Sequence, residues 1–123
     1  DVMHAGDTVP KVPAGASISQ ALVEMSRKRL GMTAIVDDDD VLLGVFTDGD
    51  LRRALDNPGF DLRDTPVVDA MTRSPKTIGA DRLAVEAAQL MESHKISALL
   101  VVDEGHRVVG ALNIHDLLRA RVV

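Results

Sequence analysis

The chain has 123 residues, of which 46% are hydrophobic and 27% are charged, a composition typical of one compact globular domain. A formal net charge of −5 and only two aromatic residues, Phe46 and Phe60, argue against a nucleic-acid partner, because such surfaces concentrate positive charge and stack bases on aromatic rings. The absence of cysteine excludes disulfides, thiol catalysis and thiolate zinc sites.

The first half of the chain contains predicted elements in the order strand, helix, strand, strand, helix. Apolar residues at helical spacing between Ile18 and Met25 indicate an amphipathic helix, with Ser17 as its start signal. The next apolar run is too short for a helix and too continuous for a half-exposed strand, so it indicates a buried strand. An acidic turn at 37–40 follows it. The predicted elements are strands at 11–12, 34–36 and 41–46, and helices at 18–25 and 48–55.

A segment rich in proline, glycine and aspartate, residues 57–66, is the predicted linker, so we divide the chain into halves at 1–60 and 61–123. The second half repeats the same order of elements. Asp81 is the candidate start signal of its long helix, and residues 103–106 form the turn between its two later strands. Its predicted elements are strands at 76–78, 98–102 and 108–112, and helices at 84–91 and 114–120.

An internal repeat relates the two halves, because a shift of 66 residues superposes them without a gap from residue 14 to residue 54. A half of ~60 residues buries only ~60% of its unfolded surface. We therefore expect an α/β (α+β) fold in which two pseudo-symmetric halves pack together. Identical pairs include Ala14 and Ala80, Met25 and Met91, Asp37 and Asp103, Gly44 and Gly110, Asp50 and Asp116, and Arg53 and Arg119.

In each half a glycine-led hydrophobic strand runs into a Thr-x-x-Asp or Asn-x-x-Asp segment, at 44–50 and at 110–116. With this pattern and the repeat around it, essentially the whole chain resembles the tandem CBS-domain pair. The resemblance implies a regulatory module of two strand-helix-strand-strand-helix units that binds a nucleotide-like ligand and performs no chemistry.

A closer resemblance is to the C-terminal part of bacterial arabinose 5-phosphate isomerases. Proteins of that family place a sugar-isomerase domain before the CBS pair and interconvert D-arabinose 5-phosphate and D-ribulose 5-phosphate, at the entry to synthesis of the lipopolysaccharide sugar Kdo. The resemblance implies an isomerase domain in the same parent chain, a homodimer formed through the CBS pairs and a tetrameric parent. The residues that carry it are Asp1-Val2-Met3-His4, Gly6-Asp7, Pro10, 30–33, 46–53 and 115–120.

Thr47 and Asp50 carry the candidate chemistry of the first half. A carboxylate can accept hydrogen bonds from both hydroxyls of a ribose, and a threonine hydroxyl can donate to a phosphate near the free amides of a helix start. Thr-x-x-Asp also matches the capping box, and sequence alone favours that interpretation. The resemblance assigns Asp50 to the ligand, and the two roles can coexist. In the second half Asn113 replaces the hydroxyl residue while Asp116 remains, so we favour the first site.

The resemblance adds further candidate ligand contacts in both halves. Backbone groups at the strand entrances would pair with the edge of a base, and aliphatic side chains would hold its faces, although ordinary core packing is the favoured interpretation of the apolar ones. Histidines and a lysine would meet an anionic group. These candidates are His4, Val12, Met32, Thr33, Ala34, Lys76, Thr77, Ile78, Ser97 and His115.

The sequence predicts neither a metal site nor a membrane partner. The acidic turn at 37–40 lacks the spaced ligands of a calcium loop, and the four histidines show no metal-binding spacing. The longest apolar run, at 98–102, is far below the ~20 residues of a membrane span, and no signal-peptide pattern opens the chain. We expect a soluble, cytoplasmic protein. Because the chain begins at Asp1 in a linker-like segment, we also expect it to be part of a longer protein.

Three functions are open at this stage. The first is a sensor that controls an attached isomerase domain through a bound regulatory nucleotide, with the pathway's activated end product CMP-Kdo ranked above AMP or ATP. The second is a dimerisation module without a ligand. The third is catalysis by the chain itself, for which no nucleophile, metal cluster or paired carboxylates are visible, so we assign no catalytic residue and no cofactor.

Overall fold

The computed structural model describes residues 3–82 and 84–119. Each half has the predicted order of strand, helix, strand, strand, helix, which confirms that prediction. The predicted end of the last helix, Ala120, lies outside the described residues. The elements are β1 (Lys11–Pro13), α1 (Ile18–Lys28), β2 (Met32–Val36), β3 (Leu42–Thr47), α2 (Asp48–Leu55), β4 (Thr72–Arg73), β5 (Thr77–Gly79), α3 (Ala84–His94), β6 (Ala98–Val102), β7 (Val108–Asn113) and α4 (Ile114–Arg119).

The chain divides into two compact units whose boundaries differ from the halves drawn on the sequence. The first unit is Pro10–Pro75, and the second combines the residues up to Val9 with those from Lys76 onward. The difference arises because the segment preceding β5 completes the sheet of the first unit, where β4 pairs with β3. In the second unit, His4 and Ala111 exchange two backbone hydrogen bonds of 2.8 and 3.0 Å.

In the first unit the sheet has the order β1-β2-β3-β4, with β1 parallel to β2 and the later pairs antiparallel. Helix α1 begins at a capping box in which Gln20 N donates to Ser17 Oγ over 3.2 Å and Ser17 N donates to Gln20 Oε1 over 2.8 Å. Its apolar stripe packs on the sheet. The buried core consists of Val12, Ala16, Ile18, Ala21, Met25, Ile35, Phe46 and Val67.

The second unit repeats this arrangement with the order β5-β6-β7, in which β5 is parallel to β6 and β6 is antiparallel to β7. No helix among the described residues is both long and apolar enough to cross a membrane. The core of this unit consists of Ala87, Ala88, Met91, Leu99, Val101, Leu112 and Leu117.

The two hairpins turn in the same way because the repeated aspartates bind the turn backbone. Asp37 Oδ1 accepts from the amides of Asp39 and Val41 at 2.8 and 3.0 Å. Asp103 Oδ1 accepts from the amides of Gly105 and Arg107 at 3.0 and 2.9 Å. This arrangement confirms the hairpin interpretation of the acidic run.

Gly44 and Gly110 lie where a neighbouring segment passes close to the last long strand of each unit. A Cβ at Gly44 would lie 2.7 Å from both Met71 Sδ and the carbonyl oxygen of Thr72. At Gly110 it would meet the Met3 side chain and lie 2.9 Å from the carbonyl oxygen of His4. The repeated glycine therefore permits the same close backbone approach in both units.

We expect Gly44→Ala to lower the free energy of unfolding by about 1–3 kcal/mol, because the carbonyl of Thr72 can yield only if the backbone of β4 moves. Urea denaturation followed by circular dichroism measures this loss. Gly15→Ala is the matched control, since its Cβ would meet nothing within 4 Å. Equal stabilities of the two variants would contradict the close-approach explanation.

Glu24 joins α1 to the edge strand β1. Its Oε2 accepts from the backbone N of Lys11 at 3.1 Å and from Lys28 Nζ at 3.0 Å. Burial alone raises the pKa of Glu24, but the Lys11 amide and the Lys28 ammonium outweigh it and hold that pKa below its ordinary value of 4.5. The carboxylate therefore stabilises the fold at pH values above 4.5, and this contribution is lost as the pH falls through the lowered value.

We expect Glu24→Gln to destabilise the chain at pH 7, and the difference from the unmodified chain to shrink as the pH is lowered below 4.5. Urea denaturation at several pH values measures both effects. Glu86→Gln serves as the control, because Glu86 pairs with Arg82 at the protein surface, where such pairs contribute little. A Glu24→Gln deficit that grew in acid would contradict the assigned role.

Candidate functional site

The junction of β3 and α2 is closed by the predicted capping box. Thr47 is the N-cap, and its Oγ1 accepts from the backbone N of Asp50 at 3.4 Å. In return, the backbone N of Thr47 donates to Asp50 Oδ2 at 2.9 Å. The capping interpretation of Thr47 and Asp50 is therefore confirmed.

The carboxylate of Asp50 has further donors besides the cap. Thr47 Oγ1 donates to Oδ2 at 3.1 Å, Thr72 Oγ1 donates to Oδ1 at 2.6 Å, and the Arg53 guanidinium also donates to Oδ1. The side chain of Asp50 is 1% exposed. A carboxylate offers about four acceptor positions, so the donors of the first unit occupy all of them.

The equivalent carboxylate of the second unit, Asp116, has different surroundings. Its Oδ2 accepts from His4 Nε2 at 2.8 Å, and its Oδ1 accepts from the Arg119 guanidinium. The amide oxygen of Asn113 accepts from the backbone N of His115 at 2.8 Å. The side chain of Asp116 is 11% exposed and that of His4 is 33% exposed. Asp116 is thus more accessible than Asp50.

The pairing of His4 and Thr72 with the two aspartates escaped the sequence analysis of the repeat. Met3-His4 and Met71-Thr72 are related by a shift of 68 residues, whereas the rest of the repeat follows a shift of 66. A search that allowed a two-residue gap would have aligned them. That alignment would have placed a histidine and a threonine at equivalent positions.

The remaining candidates in the first unit lie near the start of α2 or along the strands. Met32 pairs with Thr47, so the entrance of β2 lies beside the cap. The hydroxyl of Thr33 is buried and donates to the carbonyl of Ala21 at 3.1 Å, which leaves no free hydroxyl there. The amide of Ala34 donates to Pro10 at 2.9 Å, and Val12 pairs with Ile35 further along β2.

The candidates in the second unit show a similar arrangement. The carbonyl of Ser97 accepts from the backbone N of Ile114 at 2.8 Å, which brings the entrance of β6 to the start of α4. His115 and Asp116 lie on the first turn of that helix, with His4 against the carboxylate. Thr77 and Ile78 pair with Leu100 and Val101, and Lys76 immediately precedes them.

A cavity of about 380 Å³ lies within the first unit, between α2 and the predicted linker. Sequence patterns did not reveal it, because its wall is formed by a loop without periodicity. The cavity is lined by Asp50, Arg53, Ala54, Asn57, Gly59, Phe60, Thr65, Asp69 and Ala70.

Within the described ranges, no three histidine, aspartate or glutamate side chains are grouped to hold a metal ion.

Comparison with known proteins identifies the family of this fold. The family model for the CBS domain matches residues 1–57 and 67–123, so the chain belongs to the CBS-domain family and contains two such domains. It is 54% identical over its full length to arabinose 5-phosphate isomerase KdsD of Pseudomonas aeruginosa, of which it spans 37%.

Solved structures show the same fold with a nucleotide present. CBSX2 in complex with AMP is 26% identical with a TM-score of 0.84, and the match covers 99% of this chain and 93% of that one. The CBS domain protein PAE2072 from Pyrobaculum aerophilum, complexed with AMP, is 28% identical with a TM-score of 0.76, covering 89% and 82% of the two chains.

We expect Thr72→Val to lower the free energy of unfolding by about 1.5 kcal/mol, since it removes a hydroxyl that donates to a buried carboxylate. Thr77→Val is the matched control, because the described residues provide no side-chain hydrogen bond to that strand threonine. Thermal and urea denaturation measure both variants without ligand. A Thr72→Val chain as stable as the control would show that the hydroxyl contributes nothing to the fold.

Proposed function

We propose that this chain is a nucleotide-binding regulatory module that controls an attached arabinose 5-phosphate isomerase domain in the cytoplasm. The observation that carries the proposal is the 54% identity over the whole chain to an isomerase of which the chain spans 37%. The remainder of that relative is long enough to contain a separate catalytic domain. The described residues of this chain form a cap and ion pairs at the candidate site, which suits binding better than catalysis.

AMP in two structures of the same fold supports a nucleotide as the ligand class. We rank CMP-Kdo above AMP or ATP, because an activated end product is an economical inhibitor of the enzyme at the entry to its pathway. Control requires only a ligand that binds two conformations of the module with different free energies.

The proposed contacts follow the chemistry of the candidate residues. The carboxylate of Asp50 or Asp116 accepts from the hydroxyls of a ribose. Backbone groups at the entrances of β2 and β6 meet the base, and Thr33 contributes through its backbone alone, since its hydroxyl is bonded within the core. His4, Lys76 and His115 meet the anionic part of the ligand.

A second candidate function, assembly without a ligand, is favoured by exposed large apolar side chains. Each of the four described helices carries one such side chain, and contact with a partner would remove that apolar area from water. A pure assembly module would show no response to any nucleotide. Among the described residues these side chains are Val23, Leu55, Val85 and Leu118.

Thermal denaturation of the chain with CMP-Kdo, CMP, AMP and ATP separates these functions. A ligand at 100 times its dissociation constant stabilises the folded state by about 2.7 kcal/mol, so we expect a clear rise in melting temperature with CMP-Kdo and a smaller one with AMP or ATP. UMP is the control for unspecific anion effects. No stabilisation by CMP-Kdo at millimolar concentration would remove it as the ligand, and no response to any nucleotide would favour the assembly module.

A further inference from the structure

We infer that the two repeated aspartates have different functions: Asp116 accepts the ligand's hydroxyls, whereas Asp50 is a structural clamp of the first unit. This inference rests on the proposed function, because it assumes that the chain binds a ligand. The class of ligand is an anion that carries a vicinal diol, such as a ribonucleotide. One ligand per chain follows, although both halves contain the aspartate of the repeat.

Although Asp50 lines the cavity beside α2, hydrogen bonds that belong to the fold close its carboxylate to a ligand. The Thr47 amide and hydroxyl donate to Oδ2, while Arg53 and Thr72 donate to Oδ1. A diol brings two donors of its own, so two of the existing four would have to leave. The amide is fixed at the first turn of α2, and the carboxylate is 1% exposed. Ligand binding at Asp50 would therefore cost hydrogen bonds that hold the unit together.

Asp116 retains capacity for a diol. Of its four acceptor positions, the part of the chain that the structure describes occupies two, through His4 on Oδ2 and Arg119 on Oδ1. The two free positions equal the number of hydroxyls in a vicinal diol. At 11% exposure the carboxylate is partly accessible to an incoming ligand.

His4 and Arg119 also supply donors suited to the anionic part of a ligand. A carboxylate only accepts hydrogen bonds, so His4 Nε2 must carry a proton toward Asp116. Both side chains are exposed enough to reach a second group, since His4 is one-third exposed and the Arg119 side chain is largely exposed. In the first unit the position of His4 is filled by the shorter Thr72, whose hydroxyl serves only the carboxylate.

Calorimetric titration with CMP-Kdo, AMP, CMP and the 2′-deoxy analogues of AMP and CMP tests the inference on the unmodified chain and on Asp116→Asn, Asp50→Asn and Thr72→Val. We expect one ligand per chain and at least a tenfold loss of affinity in Asp116→Asn. The 2′-deoxy analogue should bind the unmodified chain more weakly, and its further loss of affinity in Asp116→Asn should be smaller than that of the ribonucleotide, because both changes remove the hydrogen bond to the 2′-hydroxyl. Thr72→Val should keep its affinity within threefold, and Asp50→Asn likewise wherever it folds.

The outcomes distinguish the inference from the function on which it rests. Non-additive losses between the 2′-deoxy analogue and Asp50→Asn, with Asp116→Asn unaffected, would overturn the inference and leave the proposed function standing. Two equivalent ligands per chain would do the same. Should Asp50→Asn fail to fold, Thr72→Val tests the role of Asp50 instead, and a tenfold change of affinity in either direction would count against the inference. No binding of any nucleotide by the unmodified chain would overturn the proposed function and the inference together.

Discussion

The first unit depends on a charge that is removed from water. Burying a carboxylate is expensive unless it is paired and its oxygens accept hydrogen bonds, and Asp50 satisfies both conditions. Its partners come from the end of β3, the last turn of α2 and the start of β4, so a single side chain connects three segments. At eight residues α2 is too short to persist alone, and its one fully buried residue is this aspartate. The position of the helix therefore follows from the hydrogen bonds of the carboxylate.

In the second unit an apolar side chain, rather than a carboxylate, holds the last helix in place. The fully buried residue of α4 is Leu117, which lies within the core cluster of that unit. Its counterpart in the first unit, Leu51, is only partly buried. Because hydrophobic burial already holds α4 in place, the position of that helix depends less on Asp116 than the position of α2 depends on Asp50. The two units thus differ in which residue of the repeated Asp-Leu pair anchors the helix.

Sequence reasoning succeeded where the physics is local. The spacing of Ile18, Ala21 and Met25 predicts α1, the continuous apolar runs predict β2 and β6, and Thr-x-x-Asp predicts the cap. It missed Thr72, and it missed the pairing of the candidate His4 with Asp116, because these contacts depend on which strand a short segment joins far along the chain. A two-residue strand has no periodicity to detect, and a gapless repeat cannot align positions that a two-residue insertion separates. The burial of Asp50 was missed for a related reason, since its outer donor lies 22 residues away.

The two units share the parts of the site that set backbone geometry and differ in the parts that set chemistry. Gly44 and Gly110 both admit the backbone of a neighbouring segment at close range, and Asp37 and Asp103 close the same turn. The backbone approach is therefore common to both units, and the units differ in the side chain that the neighbouring segment places beside the carboxylate. Threonine has a single hydroxyl, and it donates that hydroxyl to the carboxylate. Histidine donates from one ring nitrogen and has a second nitrogen for another partner. A residue outside the Thr-x-x-Asp segment therefore decides how many hydrogen bonds each repeated aspartate can accept from a ligand. For Asp50 this residue is Thr72, which precedes the second repeat, and for Asp116 it is His4, which precedes the first repeat.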